Sequence, residues 1–167
     1  MRTIAGYEIG LATESDLEGI LDLQEANLPH RGGTLSARLS REWFETALET
    51  MPVVVARRNA RLVGYLISSP LAAYAGVAVV GAMLRAYRGT PDAYVYGPIC
   101  VADGERGRGL AGAMFEALRA RLPGREGILF IRRDNAASLR AHARMGMQEV
   151  AEFTHSGAAF AVLSYVG

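Results

Sequence analysis

The chain has 167 residues, a formal net charge of +1 and one cysteine, Cys100. Such a length suits one domain that buries roughly two-thirds of the surface its unfolded form would expose, with no need of disulfide or metal staples. The near-neutral charge excludes recruitment of nucleic acid or anionic membrane by a global field, the lone cysteine excludes an internal disulfide framework, and the opening MRTIAGYEIG lacks the apolar run of a signal peptide, so a cytoplasmic protein is expected.

In chain order, residues 7–11 read as a short strand, and Thr13 with Asp16 reads as a helix start carrying a capping-box acid, followed by Leu17, Ile20, Leu21 and Leu28 at amphipathic spacing. Residues 29–34 are turn-rich. Trp43, Phe44, Ala47, Leu48 and Met51 then form the stripe of a second amphipathic helix. Two β-rich runs around Arg58, Asn59, Ala60 and Arg61 predict a hairpin. Ser69 and Pro70 resemble an N-cap with proline at the first helical position, predicting an apolar helical insertion over 71–87, too short to span a bilayer and read as buried or as a dimer-facing subunit contact.

Residues 94–101 read as a strand with Gly97 and Pro98 inside it, where pairing should fail locally because proline cannot donate to the ladder. A helix with Ala111, Met114, Phe115, Leu118 and Leu122 on one face follows, then a buried strand at 128–131. The strand, helix, strand order implies a parallel pair. A further helix at 135–145 and a closing hairpin of 148–154 with 159–165 complete one α/β domain spanning 1–167.

The chemistry concentrates where a strand leaves Val101 and a helix begins beyond Arg106, Gly107, Arg108, Gly109, Leu110, Ala111 and Gly112. A helix amino terminus offers unpaired N–H groups and partial positive charge, and glycines let a phosphate approach the backbone, so an anionic ligand such as a diphosphate is expected there. Gly107, Gly109 and Gly112 also satisfy the dinucleotide pattern G-x-G-x-x-G, with Asp134 near the position of a ribose-binding acid. Against that stand the residues between Val101 and the first glycine, the short remainder of the chain, and Gly97-Pro98 in the feeding strand. A plain glycine-rich turn with solvated arginines is the third reading.

The run from Val101 through Arg106, Gly107, Arg108, Gly109, Leu110 and Ala111 resembles the coenzyme A motif of the GNAT N-acetyltransferase superfamily. Asn135, Ser138, His142, Gly146 and Met147 resemble the family's later motif, an asparagine opening a helix that ends in glycine and an apolar residue. The resemblance covers essentially the whole chain. It implies a mixed, mostly antiparallel central sheet of about six to seven strands flanked by helices, with a parallel, splayed pair at the coenzyme site. It further implies acetyl-CoA as co-substrate, held by backbone amides from Arg106 to Gly112, by the strand backbone at Ile99, Cys100 and Val101, and by Asn135 and Ser138.

Aminolysis of a thioester needs a neutral amine, a donor for the developing oxyanion, and an acid for the departing thiolate. The family commonly places a tyrosine seven residues after the helix-opening asparagine; this chain has His142 there, on one helical face with Asn135 and Ser138. A protonated imidazole could serve as that acid. Glu25, Tyr94 and Tyr96 are conceivable bases, and spacing does not choose among them. The acceptor implied is an amine of a small molecule or peptide. The histidines lack metal-ligand spacing and the arginines do not interleave with aromatics, so neither a metal nor a nucleic-acid partner is expected. A non-catalytic acyl-CoA-binding sensor would share the same loop and is kept as the alternative.

Overall fold

The computed structural model describes residues 2–33, 35 and 37–167. They pack as two compact units, Met1–Ser68 with Gly97–Arg121, and Ser69–Tyr96 with Leu122–Gly167. Among the described residues there are eight strands and five α-helices, a mixed and mostly antiparallel arrangement with a parallel pair.

In the first unit, β1 (Arg2–Ile4), β2 (Tyr7–Leu11), β3 (Val53–Arg58) and β4 (Arg61–Pro70) pair antiparallel in that order. β1 raises the strand count above that expected. It is short and mostly exposed, with no alternating apolar pattern to betray it, and it exists because Ala5 and Gly6 turn the chain back with positive φ. The expected hairpin forms, its two turn residues Asn59 and Ala60 both left-handed, which matches the twist of the flanking strands.

A 3-10 turn, Glu14–Asp16, leads into α1 (Leu17–Ala26). The Asp16 carboxylate accepts from the Thr13 N–H at 2.8 Å and from Arg57 Nε at 3.0 Å, tying the helix start to β3. The helix buries Leu17, Ile20 and Leu23; Leu21, expected on that face, is only half-buried. The turn-rich stretch opens with a 3-10 turn, Pro29–Arg31, while Thr34 lies outside the described residues. α2 (Arg41–Thr50) starts where Ser40 Oγ accepts from the Trp43 N–H at 3.1 Å, and it buries Phe44 and Ala47. α4 (Leu110–Arg119) lies on β2 and β3 and buries Met114, Phe115 and Leu118. A Cβ at Gly64 would meet Met114 Cε at 3.1 Å and the Cys100 carbonyl at 3.2 Å, a tight fit that a larger residue could enter only if these neighbours shifted by a few tenths of an ångström.

In the second unit the pairing order is β5 (Tyr94–Val101, entering from Tyr94), β6 (Glu126–Arg132), β8 (Ala158–Val166) and β7 (Gln148–His155). β5 and β6 run parallel, paired at Tyr94 with Gly127 and at Val95 with Ile128; the other pairs are antiparallel. The single apolar helix expected over 71–87 is instead a 3-10 turn, Leu71–Tyr74, and α3 (Ala78–Ala86). Ser69 and Pro70 end β4 rather than opening a helix, and Ala75 with the unsubstituted Gly76 separates the two pieces. α3 lies on β7 with Val79, Val80, Ala82 and Met83 buried, which explains why the stretch is so apolar. α5 (Ala136–Arg144) completes the unit. No helix among the described residues is long and apolar enough to cross a membrane.

Glu126 is buried at the start of β6, where it accepts from Tyr87 Oη and the Thr90 N–H, both at 2.7 Å, and from Ser164 Oγ. Burial acts to raise its pKa, but those donors hold the carboxyl below its ordinary range. One residue on, a Cβ at Gly127 would sit 2.4 Å from Tyr165 Cζ. That ring cannot easily retreat, because it stands edge-on to Tyr94 and Tyr96 and its hydroxyl hydrogen-bonds that of Tyr94. Gly127→Ala is therefore expected to cost about 1–3 kcal/mol, read as a lower denaturant midpoint at unchanged slope. An unchanged midpoint would show that the Tyr165 ring is free to move.

Candidate functional site

The candidate residues fall in two clusters, one in each unit. In the first, β5 ends with Ile99 and Val101 half-buried and Cys100 buried. The Ala102 N–H donates to the Val63 carbonyl at 2.8 Å, and a 3-10 turn, Asp103–Glu105, follows. Gly107 and Gly109 then adopt φ of +74° and +79°, a region that disfavours any side chain. Gly109 is the N-cap of α4 and supplies no side chain to cap it, so the first-turn amides of Leu110, Ala111 and Gly112 keep their donor capacity. Leu110 is buried and pins the helix start, while Ala111 and Gly112 are half-buried.

A Cβ built on Gly107, Gly109 or Gly112 would meet nothing within 4 Å, so the loop is open on the side its glycines present. Left-handed glycines, an uncapped helix start and an open approach fit a diphosphate. The arginines contribute less than sequence suggests. Arg106 donates to three acceptors of the protein: Val101 O at 3.2 Å, Asp103 Oδ1 at 3.3 Å and Asn27 Oδ1 at 2.5 Å. Arg108 is half-exposed, its Nε 3.8 Å from Glu105. With Arg58 also on Glu105, three bases around the loop are partly offset by two acids, and the backbone amides add donors of their own.

Glu105 was not singled out from sequence, yet it organises the loop. It accepts from the Tyr7 hydroxyl and lies 3.4 Å from Arg58, which in turn sits over the Tyr7 ring. The Tyr7 hydrogen bond, with Arg58 and Arg108 nearby, holds its carboxyl below the usual range. Cys100 lies beside the Leu23 carbonyl, and burial pushes its thiol up to about 11. A thiol so placed is a poor nucleophile at neutral pH.

The second cluster is on α5. Asn135 caps the helix, its Oδ1 accepting from the Ser138 N–H at 3.2 Å. His142 is buried, and its Nδ1 lies 2.8 Å from the Ser138 carbonyl and 3.3 Å from Ser138 Oγ. A carbonyl can only accept, so Nδ1 carries the proton and Nε2 presents a lone pair. That lone pair accepts from the Tyr96 hydroxyl at 3.1 Å, and the two rings meet edge-on. Burial lowers the His142 pKa despite the opposing pull of the Ser138 carbonyl, and burial raises the Tyr96 phenol well above its ordinary range. The pair rests as neutral imidazole and neutral phenol.

The helical spacing of Asn135, Ser138 and His142 therefore yields a connected polar stripe, and the structure adds Tyr96 to it. Of the other residues weighed as bases, Glu25 is engaged by Arg38 at 3.2 Å and His30 at 3.5 Å, and Tyr94 by Tyr165. Among the described residues no group of three or more His, Cys, Asp or Glu side chains is placed to hold a metal.

Comparison with known proteins accords with this architecture. A model of the acetyltransferase (GNAT) family matches residues 17–147, a stretch that runs through both units. The chain belongs to the GNAT acetyltransferase family. Membership sets aside the dinucleotide reading that the glycine pattern had left open. Its fold is similar to that of an N-acetyltransferase from Staphylococcus aureus Mu50, at TM-score 0.72 and 18% identity over 97% of this chain and 99% of that one. It is similar also to YncA from Salmonella typhimurium, solved with its cofactor acetyl-CoA, at TM-score 0.73 and 16% identity over 97% and 94%. A third is a phosphinothricin acetyltransferase from Sinorhizobium meliloti in complex with acetyl-CoA, at TM-score 0.72 and 20% identity over 96% and 88%. Identities this low carry the fold and not the substrate. No curated protein matches the sequence.

The buried neutral His142 has a consequence for stability. A histidine whose pKa falls on folding contributes stability that is fully present above its unfolded value, near 6.5, and is lost as pH drops toward the folded value. Wild type is expected to lose stability between neutral pH and mildly acidic pH more steeply than His142→Gln, measured as denaturant midpoints across that range. Parallel curves would show that the imidazole does not stay neutral in the fold.

Proposed function

We propose that the chain is an acetyl-CoA-dependent N-acetyltransferase that acetylates a primary amine of a small molecule or peptide by direct attack on the thioester. The observation that carries this reading is the uncapped start of α4 behind two left-handed glycines, in a chain of this family. The amides of Gly107 to Gly112 hold the diphosphate of coenzyme A, with Arg108 as the nearby cation. Ile99, Cys100 and Val101 offer strand backbone to the pantetheine arm. Because the Asn135 carbonyl caps α5, its NH2 group is the end that would meet that arm. The reading treats residues 1–167 as one catalytic domain in the cytoplasm.

In the reaction the amine nitrogen forms a bond to the acetyl carbonyl carbon and the carbon–sulfur bond breaks. The amine gives up one proton and the departing thiolate takes one. Neutral His142, with its Nε2 lone pair hydrogen-bonded to Tyr96, supports a role as the temporary holder of that proton. The proton enters through the Tyr96 oxygen as the phenol passes its own to Nε2, and it returns by the same route to sulfur. His142 becomes the acid only after it has acted as the acceptor. Direct transfer also accords with the inert, buried Cys100.

The same buried histidine, in the position where the family commonly has tyrosine, favours the second reading, a non-catalytic acyl-CoA sensor. Release of free thiol from acetyl-CoA, followed across a panel of primary amines, separates the two. The proposal expects amine-dependent release that falls at least tenfold in His142→Ala at saturating substrates, while calorimetric affinity for acetyl-CoA changes little. Tight binding without release for any amine would overturn it in favour of the sensor.

A further inference from the structure

The C-terminal turn of α1 makes a set of contacts that the catalytic reading does not use. Asn27, the residue that ends the helix, is 6% exposed. Its amide nitrogen donates to the Leu23 carbonyl at 2.8 Å and its Oδ1 accepts from Arg106 Nη2 at 2.5 Å. Its backbone carbonyl accepts from the Leu35 N–H at 3.3 Å. The chain also passes so close here that a Cβ on Gly33 would overlap that carbonyl, at 1.7 Å. One helical turn earlier the Gln24 side chain makes a two-way bond with the Leu39 backbone, donating to its carbonyl at 2.9 Å and accepting from its N–H at 2.8 Å.

Arg106 reaches Asn27 although it lies 79 residues away in sequence. Its two other bonds, to Val101 and Asp103, are local to its own loop. Asn27 is thus the anchor outside the loop to which that guanidinium is fastened. The bond is between a charged donor and an amide acceptor that is more than nine-tenths buried, a kind stronger than neutral pairs and costly to break from one side. Three of the five N–H groups of Arg106 serve these contacts, which leaves its role more that of a brace than of a free cation.

We propose that Asn27 is a positioning residue for the coenzyme A loop, acting through Arg106 to hold the Gly107–Gly109 turn in the left-handed geometry that points its amides outward. The inference rests on the coenzyme reading above but assigns a residue that reading does not contain. It also makes Arg106 an intermediary, so that removing Asn27 adds nothing once Arg106 is gone.

The test is a double-mutant cycle read as the dissociation constant for coenzyme A by calorimetry, with far-UV circular dichroism as the folding check. Asn27→Leu and Arg106→Met should each weaken binding roughly tenfold, and the double variant should bind no more weakly than the worse single one. Asn27→Asp keeps the acceptor for Arg106 while losing the donor to the Leu23 carbonyl, and should bind more tightly than Asn27→Leu. Should Asn27→Leu fail to fold, Asn27→Ser, too short to reach Arg106, carries the same cycle. Unchanged affinity in folded Asn27→Leu or Asn27→Ser, or losses that multiply in the double variant, would overturn the assignment. Absence of binding by wild type would instead overturn the coenzyme reading, and this inference with it.

Discussion

The structure depends on one backbone constraint: a helix that starts on a left-handed glycine with nothing to cap it. Gly109 can take its positive φ because it has no Cβ, and Gly107 does the same two residues earlier. Together they turn the chain out of the 3-10 turn at Asp103–Glu105 and leave the first amides of α4 with no side chain capping them. Such a turn is not self-supporting. It is held by three side chains from elsewhere in the chain, Tyr7 of β2 and Arg58 of β3 on Glu105, and Asn27 at the C-cap of α1 on Arg106. Leu110, buried at the helix start, adds an apolar anchor.

These contacts bear on the proposed recognition of an anion. The two arginines that draw attention in the sequence face Asp103 and Glu105, and Glu105 is shared with Arg58, so the positive charge of the loop is partly offset. On the proposed reading, the N–H donors at this helix end carry the recognition, held in place by the protein's own contacts. Preorganisation of this kind favours a ligand with a compact, multiply charged group over diffuse negative charge. In the second cluster the same economy recurs: Ser138 fixes the tautomer of His142, and His142 in turn fixes the Tyr96 hydroxyl.

Much of the fold was legible because it obeys short periods. The hairpins at 53–70 and 148–166 follow from β-rich runs on either side of a turn, the amphipathic helices α1, α2 and α4 from helical spacing, and the loop announced itself by glycines between a strand and a helix. Legibility failed where the deciding contact is remote or the pattern is uniform. Residues 71–87 are apolar without a period, so nothing local separates one helix from a 3-10 turn and a shorter helix that covers β7. β1 is three residues of mostly exposed chain, formed only because a tight turn returns it to β2. Asn27 and Tyr96 carry no local mark, since their partners lie 79 and 46 residues away. Tyr96 could be named as a candidate only by its chemistry; that it meets His142 is a fact of tertiary structure.

The central claim is that the amides at the start of α4 are the diphosphate-binding groups, and the most direct measurement is an amide chemical-shift titration of the 15N-labelled protein with coenzyme A. The account predicts that the N–H signals of Gly107, Gly109, Leu110, Ala111 and Gly112 move together and saturate at one affinity. Inorganic pyrophosphate should move the same signals more weakly. Saturable coenzyme A binding that leaves those five amides unmoved would contradict it.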